Sequence, residues 1–150
     1  DNAIEALQKD GFDIRWGAIL NWEHEKHLSL QFGQPFFITE FPIGIETFFY
    51  QSHLQKPELT ISADLFAPEG YGEISTGGQP TVENEELLRK MKEEKINPDE
   101  QRWYTDLKEI GSVPHSGFAL GVERLTQWIC KLEHIREASA FPRLTDDIYP

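Results

Sequence analysis

The stretch Leu59-Thr60-Ile61-Ser62-Ala63-Asp64-Leu65-Phe66-Ala67-Pro68-Glu69-Gly70-Tyr71-Gly72-Glu73-Ile74-Ser75 decides the fold. Its first half alternates, with Leu59, Ile61, Ala63 and Leu65 pointing one way and Thr60, Ser62 and Asp64 the other, which is the period of a half-buried strand. Pro68-Glu69-Gly70 is turn chemistry, and residues 71–75 supply a second strand, so the pair reads as an antiparallel hairpin. With Pro68-Glu69 as the turn, Asp64 stands opposite Glu73 on one face of the sheet. Two carboxylates placed in that way repel. The arrangement makes sense around a hard divalent cation such as Mg²⁺, which takes oxygen ligands and commonly keeps substrate phosphates among them. A register shifted by one, with both groups solvated, is the alternative.

Working outward, Phe36-Phe37-Ile38 and Thr47-Phe48-Phe49-Tyr50 are further β-branched and aromatic runs set between Pro and Gly, and they read as strands. Upstream of them lie a short helix over 3–9 ended by Gly11, and a second helix from Asn21 as N-cap to Gly33. Downstream of Gly77-Gly78 the period changes, and Leu87, Leu88 and Met91 mark an amphipathic helix. Asn97-Pro98-Asp99-Glu100 then reads as a capping box opening a helix with Trp103, Leu107 and Ile110 on its apolar face and Gly111 at its end. Gly117-Phe118-Ala119-Leu120-Gly121 is a short strand feeding a helix whose buried stripe is Val122, Leu125, Ile129 and Leu132. Strands in the middle with helices segregated after them give an α+β fold, an antiparallel sheet flanked by helices, and not the βαβαβ order of a parallel sheet.

Two more places could carry chemistry. Ser75-Thr76-Gly77-Gly78-Gln79 runs a strand into a double glycine, which lets a ligand approach the backbone, lets the strand bulge, or simply turns the chain. Strict alternation puts Thr76 on the face away from Glu73, so Thr76 joins that site only through a bulge. In the other place, Gly121 permits a tight strand-to-helix junction, and Arg124 falls in the first helical turn, off the apolar stripe. A guanidinium fork beside free helix N–H groups is a phosphate clamp, with an ion pair to Glu123 as the bland alternative. His115, after Pro114, is either a ligand contact or an exposed loop histidine.

The 150 residues carry 14 Lys and Arg against 26 Asp and Glu, a net charge of −12, with 39% hydrophobic residues. Ten Phe, four Tyr and four Trp make disorder a poor description. So acidic a chain does not coat nucleic acid or an anionic membrane, and no apolar run approaches the roughly 20 residues of a spanning helix. A soluble cytoplasmic protein is the expectation. Cys130 is the one cysteine; it cannot form an internal disulfide, no Cys or His spacing matches a zinc site, and it reads as a small buried hydrophobe.

Taken in order, these residues resemble the C-terminal half of a class II aminoacyl-tRNA synthetase catalytic domain, in its asparaginyl/aspartyl branch. The family's third motif, a Gly-rich strand, a Gly-x-Glu-Arg link and a helix, stands here as Gly117 to Arg124. Trp103-Tyr104-Thr105-Asp106-Leu107 and Gly111-Ser112-Val113-Pro114-His115-Ser116 precede it, and His134-Ile135-Arg136-Glu137 and Ala140-Phe141-Pro142-Arg143 follow. Upstream, Phe36-Phe37-Ile38-Thr39-Glu40-Phe41-Pro42 and the hairpin turn fit the same branch. The likeness covers about residues 21–150.

The resemblance implies ATP-dependent formation of an aminoacyl-adenylate as part of an asparagine–tRNA ligase. Asp64 and Glu73 would face Mg²⁺ and the ATP phosphates, and Thr76, Gln79 and His115 the amino acid. Gly121, Val122, Glu123 and Arg124 would hold ATP, with Arg124 the catalytic cation on its terminal phosphate. It further implies asparagine or aspartate as substrate, tRNA bound through parts not present here, and a homodimer in the full-length form. Where the branch places a side-chain-reading arginine after the Gly-Gly segment, this chain has Gln79-Pro80. The family's first and second motifs and its anticodon-binding barrel have no counterpart in these residues. Two other readings are a non-catalytic truncated paralogue serving as a binding or regulatory module, and a paralogue that makes asparagine from aspartate, ATP and ammonia.

Overall fold

The computed structural model describes residues 2–144; Asp1 and residues 145–150, to which the resemblance extends, lie outside the described residues. The elements are α1 (Asn2–Lys9), α2 (Trp22–Leu30), β1 (Phe36–Thr39), β2 (Ser62–Ala67), β3 (Gly72–Gly78), α3 (Asn84–Glu93), α4 (Arg102–Ile110), β4 (Gly117–Leu120) and α5 (Val122–Cys130). The strands join in the order β1-β2-β3-β4 as one antiparallel sheet, so the α+β reading stands. The chain divides into two compact units, one of Asp1–Ile38, Asp64–Thr76 and Ala119–Pro150, the other of Thr39–Ala63 and Gly77–Phe118.

In the first unit, Leu7, Ile14 and Leu28 form a core against which Phe12, Leu20, Phe36 and Ile38 pack. Phe36 also stacks on Phe66 at 5.3 Å. α2 opens where its sequence predicts, with the Asn21 carboxamide accepting the His24 N–H at 3.0 Å and His24 Nδ1 accepting the Asn21 N–H at 3.2 Å. It stops at Leu30, short of Gly33, and Gln31 caps it in a right-handed conformation, so Gly33 has no capping role. α5 has no buried residue, and Val122 (67% exposed) and Ile129 lie in the open. The stripe expected to be buried is therefore not, because Val122 and Ile129 are exposed and Leu125 and Leu132 only half-buried. Cys130, expected to be buried, is exposed as well.

In the second unit, the run 47–50 is not a strand. Tyr50 N–H turns back to the Thr47 carbonyl, and only isolated bridges form, Tyr50 with Pro80, Ser52 with Thr60 and Pro42 with Leu59. The alternation around Ser62 is right in period and wrong in polarity, because Thr60 and Ser62 are buried while Ile61 and Ala63 are half-buried. The burial is affordable because the hydroxyls are satisfied: Thr60 donates to the Phe41 carbonyl at 3.1 Å and lies 2.7 Å from Ser62 Oγ, which reaches Glu46 at 3.4 Å. The Asn97 box is partial, since Asn97 accepts the Asp99 N–H over a 3₁₀ turn, Pro98–Gln101, before α4 begins. Trp103, Leu107 and Ile110 (86% exposed) are out in solvent, and Thr105 and Lys108 are the buried residues of α4.

The double glycine neither turns the chain nor opens it to a ligand. β3 runs through both residues, and a Cβ on Gly77 would sit 2.6 Å from the Gly117 carbonyl oxygen, one on Gly78 2.5 Å from that of Ile61. Neighbouring backbone therefore demands these glycines.

α3 buries Leu87 and Met91 as its period predicts but leaves Leu88 exposed, and it buries Lys90, 3% exposed. Lys90 Nζ donates to the Tyr50 carbonyl at 2.6 Å and to Thr81 Oγ1 at 3.2 Å, and pairs with Glu86 at 3.1 Å. Glu86 in turn accepts from Gln51 and Ser52, and these donors hold its carboxyl below the ordinary range against the opposing effect of burial. The ammonium thus ties two irregular segments to a helix. Lys90→Met, which keeps the stem and deletes the donors, should destabilise the fold by about 2 kcal/mol, the cost of a buried acceptor left unmatched, read as a lowered urea midpoint.

Candidate functional site

The hairpin of β2 and β3 positions the acidic groups. Burial along β3 does not alternate strictly, because Gly72, Ile74, Ser75 and Gly77 are buried while Glu73 and Thr76 are half-buried. Glu73 and Thr76, three apart, both act on the Asp64 carboxylate, which strict alternation does not predict. Ser75, on the other side, donates to the Ala119 carbonyl at 2.8 Å.

The Thr76 hydroxyl hydrogen-bonds the Asp64 carboxylate, so Asp64 pairs with Thr76 and has Glu73 as a like-charged neighbour. Burial pushes the Asp64 carboxyl above its ordinary range; the Thr76 bond lowers it and the Glu73 charge raises it again. Asp64 Oδ1 is buried with no hydrogen-bond partner. A desolvated carboxylate oxygen left unmatched beside a second carboxylate calls for a cation.

α5 brings one. The Gly121 N–H bonds the Ile74 carbonyl at 3.0 Å, which fixes the β4-to-α5 junction against β3. Arg124, one turn on, folds back so that Nη1 donates to the Glu73 carbonyl at 2.5 Å and stands 3.7 Å from Glu73 Oε2. The partner is Glu73, not the adjacent Glu123. Gly121 has an ordinary φ of −71°, so its smallness serves another end: a Cβ there would meet the Arg124 side chain at 3.2–3.4 Å. Gly121→Ala should displace the guanidinium from Glu73 without unfolding the chain, read as a changed Arg124 side-chain NMR signal at an unchanged melting midpoint, because the added Cβ forces the side chain to shift by a few tenths of an ångström. Val122 and Glu123 are exposed at the start of the helix.

α2 adds a residue that sequence reading passed over. Glu25 Oε2 accepts the Glu73 N–H at 3.3 Å. Burial raises its carboxyl, the Glu73 N–H and the Arg124 charge lower it, and the Glu73 and Asp64 charges raise it. The available signal was a four-residue spacing, Glu25 and Ser29, in a helix facing a turn with glycines at 70 and 72. Gln79 and His115 belong to the other unit. There the Gln79 backbone bonds Ile61 and Gln51, at 2.9 and 2.8 Å, and the exposed His115 lies 2.8 Å from the Val113 carbonyl through Nδ1.

Asp64, Glu73, Thr76, Gly121 and Arg124 are thus brought together in one unit, where three carboxylates outnumber one guanidinium. Oxygen donors alone suit a hard divalent cation, and the orphaned Asp64 Oδ1 fits one. No group of three or more His, Cys, Asp or Glu among the described residues could by itself hold a metal, so the remaining ligands would come from a bound anion such as a phosphate. Arg124 has the geometry to share that anion.

The chain is 45% identical over all 150 residues to the asparagine–tRNA ligase of Pyrococcus furiosus, and spans 35% of that relative's length. The crystal structure of asparaginyl-tRNA synthetase from Pyrococcus horikoshii complexed with asparaginyl-adenylate matches all of the chain at TM-score 0.96 and 43% identity, over 35% of its own chain. The Entamoeba histolytica asparaginyl-tRNA synthetase in complex with asparaginyl-adenylate matches 99% of the chain at TM-score 0.92 and 33% identity, over 34% of its own. The chain therefore spans about a third of the relatives it matches. The family model for class II tRNA synthetases (D, K and N) matches residues 3–145, and the chain belongs to that family.

Proposed function

We propose that this chain forms the phosphate- and metal-facing segment of an asparagine–tRNA ligase, within the C-terminal half of its catalytic domain, and takes part in ATP-dependent activation of asparagine. The observation that carries the reading is the Asp64, Glu73 and Arg124 cluster, with an unmatched carboxylate oxygen and a guanidinium 3.7 Å from Glu73 Oε2. Likeness to asparagine–tRNA ligases along the whole chain supports asparagine as the amino acid. The apolar stripes of α4 and α5 would pack against the rest of the catalytic domain.

In the proposed reaction a carboxylate oxygen of asparagine attacks the α-phosphorus of ATP, the bond to the bridging oxygen of the β-phosphate breaks, and pyrophosphate leaves. A tRNA hydroxyl then attacks the acyl carbon, the acyl–phosphate bond breaks, and AMP and a proton leave, with the tRNA bound through parts outside this chain in a cytoplasmic homodimer. Such a step needs no protein nucleophile, only alignment and charge neutralisation. Asp64 and Glu73 would hold Mg²⁺, which supplies Lewis-acid neutralisation of the phosphate charge when bound. Arg124 releases the Glu73 carbonyl and takes a phosphate oxygen, and its helix-end position favours the anion. Gly121, Val122 and Glu123 line the approach of the nucleotide, and Thr76 keeps Asp64 oriented.

The test is ATP–pyrophosphate exchange by the full-length protein. Exchange that requires asparagine supports the reading. Exchange that responds to aspartate alone, with asparagine formed when ammonia is added, favours the aspartate–ammonia ligase. No exchange, with no heat on titration of ATP and Mg²⁺, favours the non-catalytic paralogue.

A further inference from the structure

We infer that Glu25, from α2, is a positioning residue that sets the placement of Glu73 and, through it, of Arg124; the inference rests on the functional reading above. In an extended strand successive N–H groups point to opposite sides. At the start of β3 they do not. Gly72 has φ +74°, a conformation that non-glycine residues rarely adopt, and it turns two consecutive N–H groups towards the same helix. Ser29 Oγ takes the Gly72 N–H at 3.3 Å and Glu25 Oε2 takes that of Glu73, also at 3.3 Å. Four residues apart, Glu25 and Ser29 lie on one face of α2. The Ser29 carbonyl also accepts the Glu69 N–H at 2.9 Å, so the helix grips both sides of the turn.

The glycines are what allow that approach. A Cβ on Gly72 would come within 3.2 Å of Glu25 Oε2, and one on Gly70 within 3.2 Å of Leu30 Cδ2. The Glu73 peptide is therefore held from both ends, its N–H by Glu25 and its carbonyl by Arg124. When Arg124 leaves that carbonyl for a phosphate, Glu25 is the side chain that still fixes the Glu73 backbone. What Glu25 supplies is an acceptor for the Glu73 N–H that remains when Arg124 departs. Partners of this kind, holding the groups that touch a metal or substrate, cost roughly 10- to 100-fold when removed.

The experiment compares the full-length wild type with Glu25→Met, which keeps the side-chain length and loses the acceptor, and Glu25→Gln, which keeps an acceptor without charge. Two readouts are taken, hydrogen exchange of the Glu73 amide without nucleotide, and the kcat and KM of asparagine-dependent pyrophosphate exchange. In Glu25→Met the Glu73 amide should exchange about 10-fold faster and kcat should fall about 10-fold, with KM for asparagine within about 2-fold of wild type. Glu25→Gln should restore both. A Glu73 amide as protected in Glu25→Met as in wild type overturns the inference, and so does a Glu25→Gln variant as impaired as Glu25→Met. Should Glu25→Met not fold, Glu25→Gln decides alone, with near-wild-type values in support and a 10-fold loss against. A wild type without asparagine-dependent exchange refutes the functional reading, whereas the amide measurement still decides the placement of Glu73.

Discussion

If the chain serves in the proposed asparagine–tRNA ligase, Arg124→Ala should lower asparagine-dependent pyrophosphate exchange by on the order of 100-fold, the usual cost of removing one preorganised group that stabilises transition-state charge, and leave the melting midpoint within a few degrees of wild type. The guanidinium is half-exposed and its bonds go to Glu73 alone, one to the carbonyl and one ion pair. A solvated pair of that kind contributes little to stability. What the substitution removes is the guanidinium that, among the described residues, pairs with Glu73 beside Asp64. Exchange kinetics with thermal melts on the same preparation check it; an Arg124→Ala protein with wild-type exchange removes the residue from the site.

Asp64→Asn separates function from stability more sharply. Exchange should fall on the order of 100-fold, because a neutral amide oxygen is a poor ligand for a hard cation, yet the metal-free fold should be as stable as wild type or more so at neutral pH. Burial and the Glu73 charge hold the Asp64 carboxyl above its ordinary range. A group raised in the folded state favours folding when protonated, and that contribution is lost as pH rises through its raised value. At neutral pH ionised Asp64 therefore strains the fold, and asparagine relieves the strain while still accepting from Thr76. Melting in EDTA should show the variant's advantage shrinking as pH falls through the raised range, where wild type becomes protonated. A variant less stable than wild type at neutral pH contradicts this account of the pair.

The hairpin, the helix starting at Asn21 and the Arg124 junction were legible because each follows from local chemistry: a turn of Pro, Glu and Gly, a capping side chain, a glycine before a helix. The Asp64–Thr76 bond was not, because strict alternation keeps Thr76 away from Glu73, whereas in the fold both act on Asp64 and the neighbours Ile74 and Ser75 are both buried. Polarity misled in two ways. Thr60, Ser62 and Lys90 are buried because their hydrogen bonds are met inside the fold, which pattern reading cannot see. Conversely, Trp103, Leu107 and Ile110 of α4 and Val122 and Ile129 of α5 recur at helical spacing yet are exposed; period selects a face, and burial needs a partner. Glu25 escaped notice because its task depends on a contact across 48 residues of sequence.

The most direct test of the site is calorimetric titration of the full-length protein with ATP, with Mg²⁺ present and then with EDTA. The account predicts binding that weakens at least about 10-fold without the metal, and that is weakened by Arg124→Ala under both conditions but by Asp64→Asn only when Mg²⁺ is present. ATP binding indifferent to Mg²⁺ and to both substitutions would contradict it.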